Sequence, residues 1–253
     1  MNARDKLIVA LDVDDINRAN QLVKTLKGEV GMFKVGSMLF ATAGRQFVNT
    51  VVDAGNHVFL DLKLHDIPFQ IGGAARVIGQ LGVSLFTLHA SGGTEMIRRA
   101  VDDVAEGALK AKRERPKVLA VSVLTSLDAN SLAEIGVRGT PTEAVERLVK
   151  LAEVAGVDGV VCSPQEAATV RSFTRPGFLI VTPGVRPLSD SQTANEDQKR
   201  VDTPTAAVNA GADYMVVGRP ITAAPNPVEV TRQIVAEIKA AQNDAEQAGA
   251  VNV

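Results

Sequence analysis

Residues 57–64 read HVFLDLKL and alternate between two kinds of side chain. Successive side chains of a β-strand point to opposite faces, so one face of this segment carries only valine and leucine. The other face presents Asp61 and Lys63, after a histidine and a phenylalanine. Helices that cover a parallel sheet need the apolar face. We therefore expect a strand whose charged pair points away from the helices, into an enclosed space.

Seven further apolar runs are similar to this strand, and stretches with helical spacing separate them. One such stretch places Ile16, Leu22 and Leu26 on a single stripe, with Asp14 or Asp15 as the helix cap. Eight alternations of strand and helix predict an α/β fold, in particular the closed (β/α)8 or TIM barrel. A doubly wound open sheet is the alternative, because one sequence does not reveal strand order. The eight runs are 7–13, 32–36, 57–64, 85–90, 117–124, 159–163, 178–183 and 214–218.

Length and composition fit one globular domain over residues 1–253. Hydrophobic residues make up 45% of the chain, which excludes a disordered protein. We expect the barrel core to span about 7–240 and the tail from about Gln242 onward to be disordered, because the tail is polar and terminal.

Charge and cysteine content limit the cellular compartments and the classes of partner that we expect for this protein. Lysine and arginine total 27 against 29 acidic residues, so the net charge of −2 argues against a nucleic-acid partner. The single cysteine, Cys162, is compatible with a reducing cytoplasm. The apolar run 7–11 ends at Asp12 and is too short for a signal or membrane-spanning segment. We expect a cytoplasmic protein with no membrane partner.

Polar side chains fall at the carboxyl ends of the predicted strands, where TIM barrels place their active sites. An isolated Asp-x-Lys pair would favour a structural ion pair. Here Asp12 and Lys34 are expected at the same mouth as Asp61 and Lys63, and four alternating charges in one cavity favour a functional site. The polar residues at these ends are Asp12, Lys34, Asp61, Lys63, Asp66, His89, Thr125, Ser126, Ser163, Arg186, Gly218 and Arg219.

The loops after the last two strands predict a phosphate site. They contain TPGVR (182–186) and GRP (218–220), and barrels often bind phosphate at these two positions. Arg186 or Arg219 offers a guanidinium group, and the alternative for each is a pair with a surface carboxylate. The polar stretch 185–202 predicts a surface loop that could act as a lid. The sequence has no P-loop or dinucleotide fingerprint, and His89 has no second histidine at ligand spacing, so neither a nucleotide cofactor nor a metal is expected.

Short motifs extend these observations over most of the chain. They are LDVD (11–14), FKVG (33–36), LDLKLHDIP (60–68), HASGG (89–93), VLTS (123–126), TPGVRP (182–187) and VGRP (217–220). In this order they resemble the orotidine 5′-phosphate decarboxylase family, from about residue 7 to about residue 235. The resemblance implies a (β/α)8 barrel that works as a homodimer without metal or organic cofactor. The implied reaction converts orotidine 5′-monophosphate to UMP and carbon dioxide, the last step of de novo UMP synthesis.

The resemblance also implies a role for individual residues. Lys34, Asp61, Lys63 and Asp66 would form a charged tetrad, in which Lys63 protonates C6 of the pyrimidine as general acid. Asp66 and Ile67 would reach into the site of the neighbouring subunit. The implied substrate-binding residues are Asp12 and Lys34 at the ribose, Asp61 and Ile67, Thr125 and Ser126 at the pyrimidine, Pro183, and Arg186, Gln198, Gly218 and Arg219 at the phosphate.

Two other functions stay open at this point. Ketogulonate-phosphate decarboxylases and hexulose-phosphate synthases are similar barrels that use Mg²⁺, but they carry a glutamate ligand where this chain has Lys34. A lysine would repel a divalent cation, which argues against this function. A barrel that binds a nucleotide without turning it over is the other alternative, and the complete charged tetrad argues against it.

Overall fold

Eight parallel strands close into a barrel in the order of the sequence. The structure, a computed structural model, describes residues 1–187 and 202–250. Closure in sequence order confirms the predicted (β/α)8 barrel and excludes the doubly wound open sheet. Each strand lies inside the apolar run that predicted it. The strands are β1 (Leu7–Ala10), β2 (Met32–Gly36), β3 (Val58–Leu64), β4 (Leu85–His89), β5 (Lys117–Val121), β6 (Gly159–Val161), β7 (Leu179–Pro183) and β8 (Tyr214–Val217).

Helices follow the strands and cover the barrel. Within the described part of the chain, no helix is long and apolar enough to cross a membrane. The helices are α1 (Ile16–Leu26), α2 (Ser37–Asp53), α3 (Pro68–Leu81), α4 (Gly93–Ala111), α5 (Ala129–Glu134), α6 (Pro141–Val154), α7 (Pro164–Phe173), α8 (Pro204–Asn209), α9 (Arg219–Thr222) and α10 (Pro227–Ala250), with a 3₁₀ turn at Ala90–Gly92.

Side-chain caps set where two of these helices begin. Asp15 caps α1, since its carboxylate accepts a hydrogen bond from the Asn17 amide at 2.8 Å. Thr140 and Glu143 form a reciprocal capping box at the start of α6.

The alternation predicted for residues 57–64 divides the core into two layers. Phe59 packs inside the barrel in one buried cluster with Ile8. Val58 and Leu60, on either side of Phe59, belong to the cluster between barrel and helices. Asp61 follows Phe59 by two residues and lines the cavity at the barrel mouth.

Strand β3 departs from regular geometry near its carboxyl end. Its register with β4 shifts between Leu60 and Leu64. Within this bulge Lys63 adopts a left-handed backbone with φ 51°. That conformation costs a non-glycine residue roughly 1–2 kcal/mol. Bulges often re-aim a side chain beside a functional site, and here the bulge contains one of the predicted catalytic residues.

The last helix is longer than expected. We predicted disorder from about Gln242, but α10 continues to Ala250. Ile234, Ile238 and Ala241 are buried and anchor the helix. The segment after them, 242–250, contains three alanines, two glutamines and one glutamate, which are good helix formers, so a docked helix extends beyond its last buried contact.

Helices α3 and α4 pack closely at Gly107. A methyl group there would collide with the main-chain carbonyl oxygen of Arg76 on α3. Beside this contact the buried Asp103 carboxylate pairs with Arg76 at 2.8 Å and with Arg99 at 2.9 Å. Because α3 begins directly after Ile67, this packing holds the segment that follows the charged end of β3.

We expect Gly107→Ala to lower the free energy of unfolding by about 1–3 kcal/mol, because the added methyl group forces the two helices apart. Urea unfolding measures the change. The matched control is Gly73→Ala on α3, where no described atom lies within 4 Å of the added methyl group apart from the adjoining residues and the backbone of α3 itself. Alanine at this helical position should leave stability unchanged or raise it by up to about 1 kcal/mol. Equal losses in both variants would contradict the packing argument.

Candidate active site

The carboxyl ends of the strands surround a cavity of about 620 Å³. This volume lies in the range of small-molecule binding sites. Ala10, Phe59 and Val161 are among its apolar lining residues. Nine of the residues predicted from the sequence also line it: Asp12, Lys34, Asp61, Lys63, Thr125, Pro183, Arg186, Gly218 and Arg219.

Four charged side chains form one connected network in this cavity. The Lys63 ammonium group donates to Asp61 Oδ2 at 2.8 Å. Lys34 Nζ lies 3.5 Å from the same oxygen and donates to Asp12 Oδ1 at 2.9 Å. Charges therefore alternate along the chain Asp12, Lys34, Asp61, Lys63, as the sequence predicted.

Burial differs along the network. The side chains of Lys34 and Asp61 are 9% and 11% exposed, whereas Lys63 is 35% exposed and Asp12 is 51% exposed. Burial of the Asp61 carboxylate raises its pKa, but attraction by Lys34 and Lys63, together with hydrogen bonds from Lys63 and Thr87, outweighs burial and lowers the pKa below its ordinary value. Asp61 therefore stays ionised, and Lys63 presents the more accessible cation.

A glycine makes room for the network beside β2. A Cβ atom on Gly36 would lie 3.0 Å from Lys34 Nζ and 3.2 Å from Asp12 Oδ1. These separations are tighter than ordinary van der Waals contact. Gly36 therefore lets the buried lysine reach both of its carboxylate partners.

Thr87 joins the network although the sequence analysis did not select it. Its hydroxyl group donates to Asp61 Oδ1 at 2.9 Å and accepts a hydrogen bond from the Lys63 main-chain amide at 2.9 Å. The signal was present in β4, where alternate positions put Thr87 on the same face as Leu85, a residue inside the barrel.

The cavity also contains the candidate phosphate site. Arg186 lines it from the loop after β7, and Arg219 lines it from the start of α9, just after β8. The Arg186 amide donates to the Asp202 carbonyl oxygen at 3.0 Å, and the Asp202 amide donates to Gly184 at 3.2 Å. These bonds join the two ends of the polar loop predicted over 185–202. Gln198, predicted to act from this loop, lies outside the described residues.

A model of the orotidine 5′-phosphate decarboxylase / HUMPS family matches residues 5–234 of this sequence. The chain belongs to this family. A Moorella thermoacetica protein named orotidine 5′-phosphate decarboxylase is 48% identical over 240 residues, which cover 94% of each chain. A Geotalea daltonii protein of the same name is 48% identical over 238 residues, 94% of this chain and 98% of the relative.

A solved structure extends the family comparison to the fold. It is orotidine 5′-phosphate decarboxylase from Lactobacillus acidophilus, with a TM-score of 0.81 and 37% sequence identity. The match covers 92% of this chain and 98% of the other. The family resemblance predicted from the motifs is thus confirmed.

Three predicted residues of this decarboxylase-family chain lie outside the cavity. Asp66 is exposed, and its carboxylate accepts a hydrogen bond from the Ile67 amide at 2.6 Å. Asp66 makes no ion pair with Lys63 of the same chain. Ile67 is 61% exposed, and Ser126 is also exposed and does not line the cavity, whereas its neighbour Thr125 does. The prediction that Asp66 and Ile67 act in a neighbouring subunit stays a prediction.

Two histidines lie next to the charged network of this family member. The rings of His65 and His89 are 5.4 Å apart between centroids. Burial lowers the pKa of the His89 imidazole, and repulsion from His65 and Lys63 adds to this, against attraction by Asp61. Among residues 1–187 and 202–250, no three histidine, cysteine, aspartate or glutamate side chains gather as a metal site would require.

We expect Asp61 to stabilise the fold in a pH-dependent way. Its folded-state pKa is lowered, so its contribution is fully present above the ordinary carboxyl pKa of about 4 and is lost as pH falls through the folded value. At pH 6, Asp61→Asn should lower the free energy of unfolding by about 1–3 kcal/mol. The difference from wild type should narrow as the pH falls below the ordinary carboxyl pKa of about 4.

Chemical unfolding at several pH values measures this difference. Asp53→Asn is the control, because the Asp53 side chain is 67% exposed and its closest ion pair, with Arg113, is 3.7 Å long. This variant should stay close to wild type throughout. A difference for Asp61→Asn that stays constant or widens at low pH would contradict the assignment.

Proposed function

We propose that this chain catalyses the decarboxylation of orotidine 5′-monophosphate to UMP and carbon dioxide, the last step of de novo UMP synthesis. The proposal takes the activity from relatives that carry this name and cover nearly the whole chain. Its main structural support is that two cations, Lys34 and Lys63, contact one buried carboxylate, Asp61, at the barrel mouth. The single cysteine of the sequence, Cys162, is buried and is compatible with the cytoplasm as the proposed location.

The charged network fits the difficulty of this reaction. Loss of carbon dioxide from C6 leaves a carbanion in the plane of the pyrimidine ring, where the π-system does not delocalise it. Stabilisation must therefore come from a positive charge that is already in position. Lys63 supplies this charge from a pair with Asp61 at 2.8 Å, and then protonates C6 as general acid.

The Asp61 carboxylate adds a second effect. In the proposed complex it lies against the carboxylate of the substrate, and two negative charges about 4 Å apart repel by roughly 4 kcal/mol at an effective dielectric constant near 20. Departure of neutral carbon dioxide removes that repulsion. The proposed rate enhancement depends more on stabilisation of the carbanion by Lys63 than on this repulsion.

The remaining cavity residues bind the rest of the nucleotide in this proposal. Asp12 and Lys34 hold the ribose hydroxyl groups, Thr125 lies at the pyrimidine, and Pro183 also contacts the nucleotide, whereas Ser126 lies outside the cavity and is given no contact. The phosphate is held by Arg186, Gly218, Arg219 and Gln198. Phosphate binding far from C6 supplies energy for assembling the site around the reacting carbon.

We further propose that the active form is a homodimer in which Asp66 and Ile67 complete the neighbouring active site. Ile67 and Phe69 are 61% and 76% exposed, unusual values for large apolar side chains that lie so close to a charged site. Asp66 is also exposed and lies just beyond Lys63 in the chain. A second subunit would cover this apolar segment and bring Asp66 to a Lys63 ammonium group.

Mg²⁺-dependent sugar-phosphate chemistry, as in the hexulose-phosphate synthases, is the second candidate function. The family is broader than the decarboxylases, since its full name is orotidine 5′-phosphate decarboxylase / HUMPS. Lys34 argues against it, because a buried lysine at 3.5 Å from Asp61 opposes a divalent cation at that carboxylate. The proposed reaction accordingly needs neither metal nor organic cofactor.

Turnover of orotidine 5′-monophosphate in excess EDTA, followed by ultraviolet absorbance, tests the proposal. We expect rapid conversion to UMP by wild type. Lys63→Ala should reduce kcat by at least about 10³-fold, because both the cation and the proton donor are lost. Lys150→Ala is the control, since the Lys150 side chain is 60% exposed on α6. Folded wild type that converts no substrate, or that needs added Mg²⁺, would overturn the proposal.

Mixing two inactive variants tests the shared site. If Asp66 acts in the neighbouring subunit, a hybrid of Lys63→Ala and Asp66→Asn chains has one site with both defects and one intact site. Random exchange should therefore restore about a quarter of wild-type activity. Mass spectrometry verifies that subunits have exchanged, and Lys63→Ala protein mixed with itself is the control. Hybrids without activity would argue against a shared site.

A further inference from the structure

The Thr87 hydroxyl group contacts both the Lys63 main chain and the Asp61 carboxylate. Thr87 is completely buried on β4. It accepts a hydrogen bond from the Lys63 amide at 2.9 Å and lies 2.9 Å from Asp61 Oδ1. An amide can only donate, so the single hydroxyl proton is left for the Asp61 carboxylate. The direction of both hydrogen bonds is thereby fixed.

The first of these bonds holds the Lys63 main chain. Lys63 lies in the bulge between Leu60 and Leu64, where the register with β4 is interrupted. Its left-handed φ of 51° is a conformation that persists only when the surroundings enforce it. The bond from its amide to Thr87 replaces the interrupted strand pairing, so Thr87 helps to enforce this backbone.

The second bond orients the Asp61 carboxylate. Thr87 occupies Oδ1, which leaves Oδ2 to face Lys63 at 2.8 Å and Lys34 at 3.5 Å. Rotation of the carboxylate would break the bond from Thr87 and both ion pairs together. One hydroxyl group therefore fixes the main chain of the lysine and the side chain of its partner.

We propose that Thr87 is a positioning residue, whose hydroxyl group holds the Lys63 main chain and the Asp61 carboxylate so that the Lys63 ammonium group faces C6 of the substrate. This inference rests on the proposed decarboxylation. Thr87 touches neither the cavity nor, in this proposal, the nucleotide, so it acts only through Asp61 and Lys63.

The central variant is Thr87→Val, which keeps the shape of the side chain and removes both hydrogen bonds. We expect kcat to fall by about 10- to 100-fold, since a displacement of the order of 1 Å at a reacting group has effects of this size. KM should change by less than about threefold, because the phosphate and ribose contacts come from other strands. Thr87→Ser keeps the hydroxyl group and should recover kcat to within about threefold of wild type.

A matched control separates this effect from the loss of any buried hydroxyl group. Thr231 is completely buried on α10, and no described group lies within hydrogen-bond distance of its hydroxyl oxygen. Thr231→Val should therefore retain wild-type kcat and KM. If Thr87→Val does not fold, Thr87→Cys replaces it, because a thiol of similar size is a weak hydrogen-bonding group, and the same loss of kcat is expected.

A readout that does not depend on turnover tests the same contact. Carbon-13 NMR of the Asp61 carboxyl group should show titration at a higher pH in Thr87→Val than in wild type, because a hydrogen bond to the charged form is lost. Unchanged kcat in the valine or cysteine variant, an equal loss of kcat in Thr87→Ser, or an unshifted Asp61 titration would each overturn the proposal. Wild type without turnover would contradict the decarboxylation alone, and the titration would still decide whether Thr87 holds Asp61.

Discussion

One buried carboxylate, Asp61, is the constraint on which the site depends. Its Oδ2 atom faces two lysine ammonium groups, and its side chain is only 11% exposed. An unpaired charge at this depth would cost several kcal/mol, so the fold must bring Lys34 from β2 and Lys63 from β3 to the same oxygen. The ion pairs at Asp61 therefore require a fixed register between β2 and β3.

Several local features serve this one requirement. Gly36 leaves space for Lys34 to reach two carboxylates. The bulge in β3 turns Lys63 into a conformation that a regular strand would not allow, and Thr87 on the next strand accepts its amide. All three features lie beside Asp61 in the structure, although Gly36 and Thr87 are on the neighbouring strands. The other strand pairs of the barrel keep a regular parallel register over their described residues.

Much of this arrangement could be predicted from the sequence, because alternation along 57–64 and seven similar runs determine which side chains face the barrel. The pairing of Asp61 with Lys63 follows directly from that alternation. The bulge could not be predicted, since it depends on the register between β3 and β4. Thr87 was missed for the same reason. Its hydrogen-bond partner Asp61 lies 26 residues earlier in the chain, and a single sequence does not show which residues of β3 and β4 lie side by side. The helical extent beyond Gln242 was missed because composition alone does not reveal that α10 is anchored by buried isoleucines.

The bridge between Val185 and Asp202 has a consequence for how such barrels diverge. Main-chain hydrogen bonds join the two ends of the intervening segment. The ends are therefore held together whatever the number of residues between them. Doubling the length of a closed loop costs only about 0.6 kcal/mol of chain entropy. Insertions and deletions between these two residues can therefore accumulate almost neutrally with respect to folding. The charged end of β3, in contrast, tolerates few substitutions, because the buried Asp61 carboxylate must stay paired.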